Sequence, residues 1–255
     1  MSDRFAGKLA VVTGAARGIG AAIASRLLAE GGEVIAVDRL PFSVAETFPA
    51  HAARATAVSL DVTQSGAALA ILQRAGREGA TIDFLVNNAG IGGSKPLAET
   101  TDADWDRLIL TDLTQVFRMC RDFLPALRKP GGRIVNISSV FGLVGFPGSL
   151  AYSVAKAGVA QMTRQTAADL APQGVLVNAI APGVIETEMT RTRIADDAWY
   201  QAIQVQTTPV GRVGTPEDIA GAAAFLCSED ASFIAGQVLA VDGGWLAARY
   251  LPRDE

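Results

Sequence analysis

Tyr152 and Lys156 stand four positions apart, a spacing that places both side chains on one face of a helix. A phenol beside an ammonium is a proton-transfer pair. Free tyrosine has a pKa of about 10, too high for an efficient base at neutral pH, and a close positive charge lowers it by favouring the phenolate. Such a pair can hand a proton to a developing alkoxide, or take one from an alcohol. Little else in the chain has the material for this. His51 is the only histidine and falls in a loop, and the two cysteines, Cys120 and Cys227, have no Cys-x-x-Cys spacing and no histidine neighbour. Metal centres and histidine-dependent triads are therefore not expected, and neither is a disulfide, since each cysteine lies within a helical pattern.

A second stretch points to a dinucleotide. Thr13-Gly14-Ala15-Ala16-Arg17-Gly18-Ile19-Gly20 follows an apolar run and opens a helix. Glycines there allow a tight turn and close backbone approach, and the helix amino terminus offers unpaired N–H groups to a pyrophosphate. The same glycines could serve strand-to-helix packing alone, and their spacing is Gly-x-x-x-Gly-x-Gly rather than Gly-x-Gly-x-x-Gly. Asp38 closes the next apolar run, where a carboxylate accepts hydrogen bonds from both hydroxyls of an adenosine ribose and repels a 2′-phosphate by about 1–4 kcal/mol. NAD is thus expected over NADP. Arg17 and Arg39 could each pair a 2′-phosphate, or equally stay solvated or stack on adenine.

The elements that must position these groups alternate. Apolar, β-branched runs occur at Leu9 to Val12, Val34 to Val37, Thr56 to Leu60, Ile82 to Val86, Arg133 to Ile137, Val175 to Ile180 and Gln237 to Val241, and predict strands buried on both faces. Helical stretches between them are punctuated by glycine and proline: Arg17 to Glu30 before Gly31-Gly32, Asp102 to Arg128 before Pro130-Gly131-Gly132, and Tyr152 to Leu170 before Pro172 and Gly174. A further helix begins at Thr215-Pro216-Glu217, with threonine as cap and proline at the first helical position. No linker, repeat or low-complexity tract interrupts residues 1–255, so one α/β domain, a doubly wound parallel sheet with helices on both faces, is expected.

Composition narrows the partners. A hydrophobic fraction of 49% against 19% charged residues suits a packed globular chain. A net charge of −4 with a pI near 5.1 offers no basic footprint for nucleic acid or anionic lipid. No apolar run approaches a membrane span, and Met-Ser-Asp-Arg-Phe lacks the cationic and apolar segments of a leader, so a cytoplasmic protein is expected.

Taken in order, the motifs resemble those of the short-chain dehydrogenase/reductase family, in its single-domain branch, over nearly the whole chain. They are Thr13-Gly-x-x-x-Gly-Ile-Gly20, Asp61-Val62, Asn87-Asn88-Ala89-Gly90, Ser138-Ser139, Tyr152-x-x-x-Lys156, Pro182-Gly183 followed by Thr187, and Val241-Asp242-Gly243-Gly244. The resemblance implies a Rossmann fold with a seven-stranded parallel sheet, a homotetramer, and a small-molecule alcohol or ketone as substrate. It implies that Asp61 and Val62 hold the adenine, that Asn87 with Gly90 lines the ribose side while steadying the sheet, that Ile185 and Thr187 meet the nicotinamide carboxamide, and that Ala89, Pro182 and Gly183 are further cofactor contacts. Asn87-Asn88-Ala89-Gly90 also reads simply as a strand-ending turn. Tyr152 is implied as general acid/base, Lys156 as its partner and a cofactor contact, and Ser139, thirteen residues before the tyrosine, as the group orienting the substrate oxygen.

One position departs from the family pattern. Thr111-Asp112-Leu113-Thr114 puts Asp112 where the family has an asparagine that helps hold a water in a relay to the lysine. A carboxylate accepts but cannot donate as an amide does. Ionised, Asp112 would strengthen the Lys156 ammonium and partly cancel its field on Tyr152; buried and protonated, it would mimic the amide; it could also simply bond to backbone. Phe141, Leu143, Val144 and Phe146, with Met189, Ile194, Trp199 and Tyr200 on a mobile flap from Glu186 to Thr208, suggest a mostly apolar pocket, and Arg191 and Arg193 could meet an anionic group or stay solvated. Two rivals are a non-catalytic nucleotide-binding regulator of the same fold and a sugar-nucleotide epimerase. The intact Ser139, Tyr152 and Lys156 oppose the first, and the lack of an extra substrate domain opposes the second.

Overall fold

Apolar runs settle as strands where helices can cover both faces. The computed structural model describes residues 3–248, and in it seven strands form one parallel sheet: β1 (Leu9–Thr13), β2 (Glu33–Asp38), β3 (Ala55–Ser59), β4 (Phe84–Asn87), β5 (Arg133–Ile137), β6 (Leu176–Pro182) and β7 (Val238–Val241). Between and beside them run α1 (Gly18–Ala29), α2 (Val44–Thr47), α3 (Ala67–Arg74), α4 (Asp102–Ile109), α5 (Gln115–Phe123), α6 (Leu150–Leu170), α7 (Arg191–Asp196), α8 (Ala198–Tyr200) and α9 (Pro216–Cys227).

The strand order is β3-β2-β1-β4-β5-β6-β7, so the winding reverses between β1 and β4. Open α/β sheets hold ligands outside the carboxyl ends of the strands at such a reversal. Val12 lies opposite Val86, which sets the glycine-rich turn after β1 beside the Asn87 to Gly90 turn after β4.

Alternation along each strand builds two cores. Ala10 and Val12 pack with Ile23 and Leu27 of α1 and Ile219 and Ala223 of α9. Val11 and Ile35 point the other way, onto Ile71 of α3, Met119 and Phe123 of α5 and Val159 of α6. Each fully buried Leu, Ile or Phe contributes about 1.5–3 kcal/mol relative to exposure, which fixes the sheet that carries the site. The start of α9 follows its sequence signals: Pro216 opens it, the Asp218 carboxylate accepts from the Thr215 N–H at 2.7 Å, and Arg212 grips the same carboxylate at 2.7 and 2.8 Å. Both cysteines are free and buried, and burial pushes each thiol up to about 12.

Three expectations need correction. The helix over Asp102 to Arg128 stops at Phe123, because the following residues pair with the chain just before β4 in an isolated parallel bridge: Ile82 N–H donates to the Ala126 carbonyl at 2.9 Å and Arg128 N–H to the Ile82 carbonyl at 2.8 Å. That helix is also interrupted by a π-helical turn at Leu110–Thr114. The segment from Glu186 to Thr208, expected as a flap, carries secondary structure that the sequence reading did not assign: α7, α8 and a second π-helical turn at Gln201–Val205. β7 is not buried on both faces: it is an edge strand with Leu239 39% exposed. No described helix is long and apolar enough to cross a membrane.

Candidate active site

The end of β5 and the start of α6 form one packed unit. Ser139 precedes a single 3-10 turn, Val140–Gly142, and its Oγ accepts from the Phe141 N–H at 3.2 Å. This turn lies against α6 so closely that a Cβ on Gly142 would sit 2.6 Å from the Lys156 carbonyl carbon, an approach only glycine allows. Ser138 donates its hydroxyl to the Lys156 carbonyl at 2.8 Å. That bond explains why two adjacent serines differ: Ser138 pins α6 to β5, whereas the Ser139 oxygen retains acceptor and donor capacity.

Lys156 is nearly buried, and its Nζ donates to the Ile137 carbonyl at 3.1 Å while lying 5.6 Å from the Tyr152 ring centroid. A desolvated ammonium needs such partners. Tyr152, in the first turn of α6, has one of the backbone N–H groups that a helix leaves unpaired, and this donates to Ser94 Oγ at 3.3 Å. Ser139, Tyr152 and Lys156 are therefore set on adjoining elements at the carboxyl edge of the sheet, held by the loop after β4 on one side and β5 on the other.

Asp112 joins them from the π-helical turn. It is fully buried, its Oδ1 accepts from the Ile91 N–H at 2.8 Å, and its Oδ2 has no partner among the described residues. A Cβ on Gly90 would be 2.9 Å from Asp112 Oδ1 and 3.4 Å from Lys156 Nζ, so both groups converge on that bare glycine. Burial pushes the Asp112 carboxyl above the usual carboxylate range, against the opposing pull of the Lys156 ammonium, the Ile91 N–H and Arg107. Of the expected outcomes, the environment therefore shifts Asp112 in the direction of the protonated, amide-like form.

A stability test follows from the sign of that shift. Between the ordinary carboxylate pKa and the raised one, the folded chain binds a proton that the unfolded chain has lost, so stability falls as pH rises through that window and stays lower above it. Asp112→Asn removes the titration. It should raise Tm at pH 8 and raise it by much less at pH 4, as read by thermal unfolding. Equal changes at both pH values would contradict a buried, pKa-raised carboxyl.

At the nucleotide end, Gly14 and Gly18 adopt left-handed φ of 65° and 57°, which a side chain would strain. Gly20 lies under the loop, where a Cβ would be 2.1 Å from the Gly14 carbonyl oxygen. No side chain caps the start of α1, where Ile19 follows Gly18 in the first turn, so its N–H groups suit a pyrophosphate. Asp38 is fixed in place at the end of β2, with Oδ2 accepting from the Ala16 N–H and Oδ1 from the Leu40 N–H, each at 3.1 Å. Arg17 reaches across to Glu188 in an exposed ion pair, so its charge is directed at the segment after β6 rather than left free. Thr187 lies over the same loop, 3.5 Å from where a Gly18 Cβ would be.

Other expected contact residues have side chains engaged within the fold. The Asn87 side chain is buried in the sheet, donating to Asn136 Oδ1 at 2.9 Å, while Asn136 donates to Thr163 Oγ1 of α6 at 2.9 Å. This network steadies β4, β5 and α6 and keeps the Asn87 side chain within the sheet. Ala89 donates its N–H to Thr13 Oγ1 at 3.0 Å and accepts from Gln115 Nε2 at 3.1 Å. The Ile185 and Val62 side chains are both buried. Asp61 closes its turn on Thr63, whose N–H and hydroxyl donate to it at 2.9 and 2.7 Å. Pro182 ends β6, and Gly183 passes so near Asp242 that a Cβ would be 2.8 Å from the Asp242 Cα.

Three positioning roles were not foreseen. Asn88 Nδ2 donates to the carbonyls of Thr13 and Gly14 at 2.9 and 3.1 Å, and Thr13 Oγ1 accepts the N–H groups of Asn88 and Ala89 at 3.0 Å each. Together they lock the glycine-rich loop to the β4 turn. Trp245 also enters the site: its ring is 6.3 Å from Phe141, and its Nε1 donates to the Ile203 carbonyl at 3.0 Å.

A family profile described as enoyl-(acyl carrier protein) reductase matches residues 14–246. The chain is 44% identical to a cis-4-hydroxycyclohexanecarboxylate dehydrogenase from Sinomonas cyclohexanicum, with 97% of this chain and 100% of that protein aligned. It is 39% identical to a 3-oxoacyl-[acyl-carrier-protein] reductase from Salmonella typhimurium, over 94% of this chain and 98% of the relative. A crystal structure from Agrobacterium tumefaciens, described as a 2-deoxy-D-gluconate 3-dehydrogenase with bound NADP, superposes with a TM-score of 0.86 at 38% identity, covering 96% of this chain and 99% of that one. With this likeness running through both the glycine-rich loop and the Ser139, Tyr152 and Lys156 unit, the chain belongs to the short-chain dehydrogenase/reductase family, whose members carry out NAD(P)-dependent oxidoreduction of the alcohol and ketone type.

Proposed function

We propose that this chain is an NAD-dependent dehydrogenase that interconverts a secondary alcohol and a ketone, with an alicyclic ring as the substrate body. The observation that carries the reading is the Lys156 ammonium, buried, bonded to the Ile137 carbonyl at 3.1 Å and 5.6 Å from the Tyr152 ring. A bound nicotinamide supplies the hydride acceptor or donor. Tyr152 removes the alcohol proton, or returns it, and the ammonium beside it stabilises negative charge on the phenol oxygen. Ser139 orients the substrate oxygen by hydrogen bonding. Asp112 steadies the Ile91 backbone and the space around Lys156.

NAD is favoured over NADP because the Asp38 carboxylate is fixed by two backbone amides and cannot easily withdraw from a 2′-phosphate, while Arg17 is engaged with Glu188. Against this stands the NADP held by the structural relative, so the cofactor is part of the test. The alicyclic body is supported by the aromatic wall of Phe141, Phe146, Trp199 and Trp245 around Tyr152 and by the substrate of the 44% identical relative. The apolar, exposed edge of β7, with Leu239 and the nearby Phe233 open to solvent, supports the homotetramer, in which second copies would cover it. Residues 1–255 would form one domain of a cytoplasmic protein with both thiols free.

Cofactor reduction over a panel of cyclic and acyclic secondary alcohols, run with NAD and with NADP, tests the proposal. Turnover of cyclic alcohols with kcat/KM at least about tenfold higher for NAD is expected, since repulsion of the 2′-phosphate is worth on the order of 1–4 kcal/mol. Cofactor binding without turnover of any alcohol would favour the regulatory alternative instead.

A further inference from the structure

Resting on the dehydrogenase reading, we propose that Tyr200 is a second substrate-binding residue, its phenol donating a hydrogen bond to another oxygen on the far side of an alicyclic substrate whose reacting hydroxyl lies at Tyr152.

Tyr200 ends α8 and is only 5% exposed. Its phenol oxygen makes no hydrogen bond to any described residue, and it is not among the sealed, unpartnered atoms of the interior, so it is available to a ligand rather than used by the fold. The charged neighbours do not occupy that oxygen. The Arg193 guanidinium lies over the ring face, 4.2 Å from the centroid, and not at the oxygen. The Asp197 carboxylate accepts instead from the Tyr200 N–H at 2.9 Å and sits 3.9 Å from Arg193.

A continuous row of rings links this part of the fold to the reaction centre. Phe141 meets the Tyr152 ring edge-on at 6.5 Å and stacks on Phe146 at 4.1 Å, and Phe146 reaches Trp199, the residue before Tyr200, at 5.5 Å. An apolar ring lying along this wall has Tyr152 towards one end and α8 towards the other. The two phenols also feel one another: Tyr152 reinforces the rise that burial imposes on the Tyr200 phenol, with Arg193 opposing, so Tyr200 stays a proton donor across the working range. A phenol that remains protonated in an aromatic enclosure selects for an oxygen acceptor, either a carboxylate or a neutral ether or carbonyl oxygen.

The experiment compares the native chain with Tyr200→Phe, which keeps the ring beneath Arg193 and removes one oxygen. Turnover at saturating NAD is measured on 4-hydroxycyclohexanecarboxylate, 4-methoxycyclohexanol and unsubstituted cyclohexanol. In parallel, the Kd of unreactive cyclohexanecarboxylate and of methoxycyclohexane is measured by calorimetry with NADH present. Tyr200→Phe should lower kcat/KM about 10- to 100-fold on one or both oxygenated alcohols and leave cyclohexanol unchanged, the size expected for one buried hydrogen bond to an acceptor. The Kd of the matching unreactive probe should weaken by a similar factor. Loss on the acid alone identifies a carboxylate, and loss on both identifies any oxygen acceptor. Equal loss on all three alcohols, no loss on either oxygenated one, or unchanged Kd values would overturn the assignment. If the native chain oxidises no alcohol at all, the dehydrogenase reading fails separately, and the calorimetric comparison still decides the role of Tyr200.

Discussion

Tyr152→Phe should lower turnover at least about a hundredfold while leaving NAD affinity unchanged, because general acid–base catalysis contributes roughly 10²–10⁴ in rate and the substitution removes only the proton-carrying oxygen. The packing that surrounds it survives the change. Phe141 touches the ring edge-on, Lys156 is anchored to the Ile137 carbonyl, and the backbone N–H of residue 152 still donates to Ser94. Loss of proton transfer therefore outweighs any loss of structure. Steady-state NADH formation gives the turnover, and a fluorescence titration gives the cofactor Kd. Turnover within about tenfold of native would remove Tyr152 from the proton-transfer step, since that is well below the range such groups supply; a weakened Kd instead would indicate a disturbed site.

The parts of this site that the sequence made legible share one property: their chemistry depends on local spacing. Tyr152 and Lys156 are four residues apart on one helix, and the Thr13 to Gly20 turn must follow a strand and open a helix wherever it occurs. The strands were legible for the same reason, as runs that only a doubly covered sheet can bury, although Ile82 proved to pair with Leu127 outside the sheet proper. What could not be read depends on contacts between distant segments. Asn88 looked like one half of a turn, and its role appears only when β1 and β4 lie side by side and its amide reaches two carbonyls 74 and 75 residues away. The π-helical turn around Asp112 has no local signature, and neither does the end of α5 at Phe123. Pro130 marked the last place the helix could end, whereas pairing of Leu127 with Ile82 ended it earlier.

Asp112 shows both sides of this. Its departure from the family asparagine was visible as a residue type, yet whether it would be charged depended on burial, which spacing alone does not report. The structure puts it beneath Gly90 with one oxygen bonded to the Ile91 N–H and the other unpartnered among the described residues. Desolvation then prevails over the pull of Lys156.

Gly20→Ala should weaken NAD binding by about a hundredfold or more with the fold retained, because the added carbon meets first of all backbone, which cannot yield as a side chain can. Its Cβ would be 2.1 Å from the Gly14 oxygen and 2.5 Å from Asn88 Nδ2, separations no packed atoms tolerate. The loop must lift, and Asn88 loses its bonds to Thr13 and Gly14 as it does. The cost falls on the pyrophosphate site because α1 is held from below by Ile23, Leu27 and its packing on α9, leaving the turn as the part free to move. Far-UV circular dichroism should match the native chain, hydrogen exchange should rise chiefly over residues 13–20, and calorimetry should show the loss of cofactor affinity. A Kd within about threefold of native, less than 1 kcal/mol, would mean that the loop accommodates a methyl group without moving and that its tightness serves packing of β1 on α1 instead of a nucleotide.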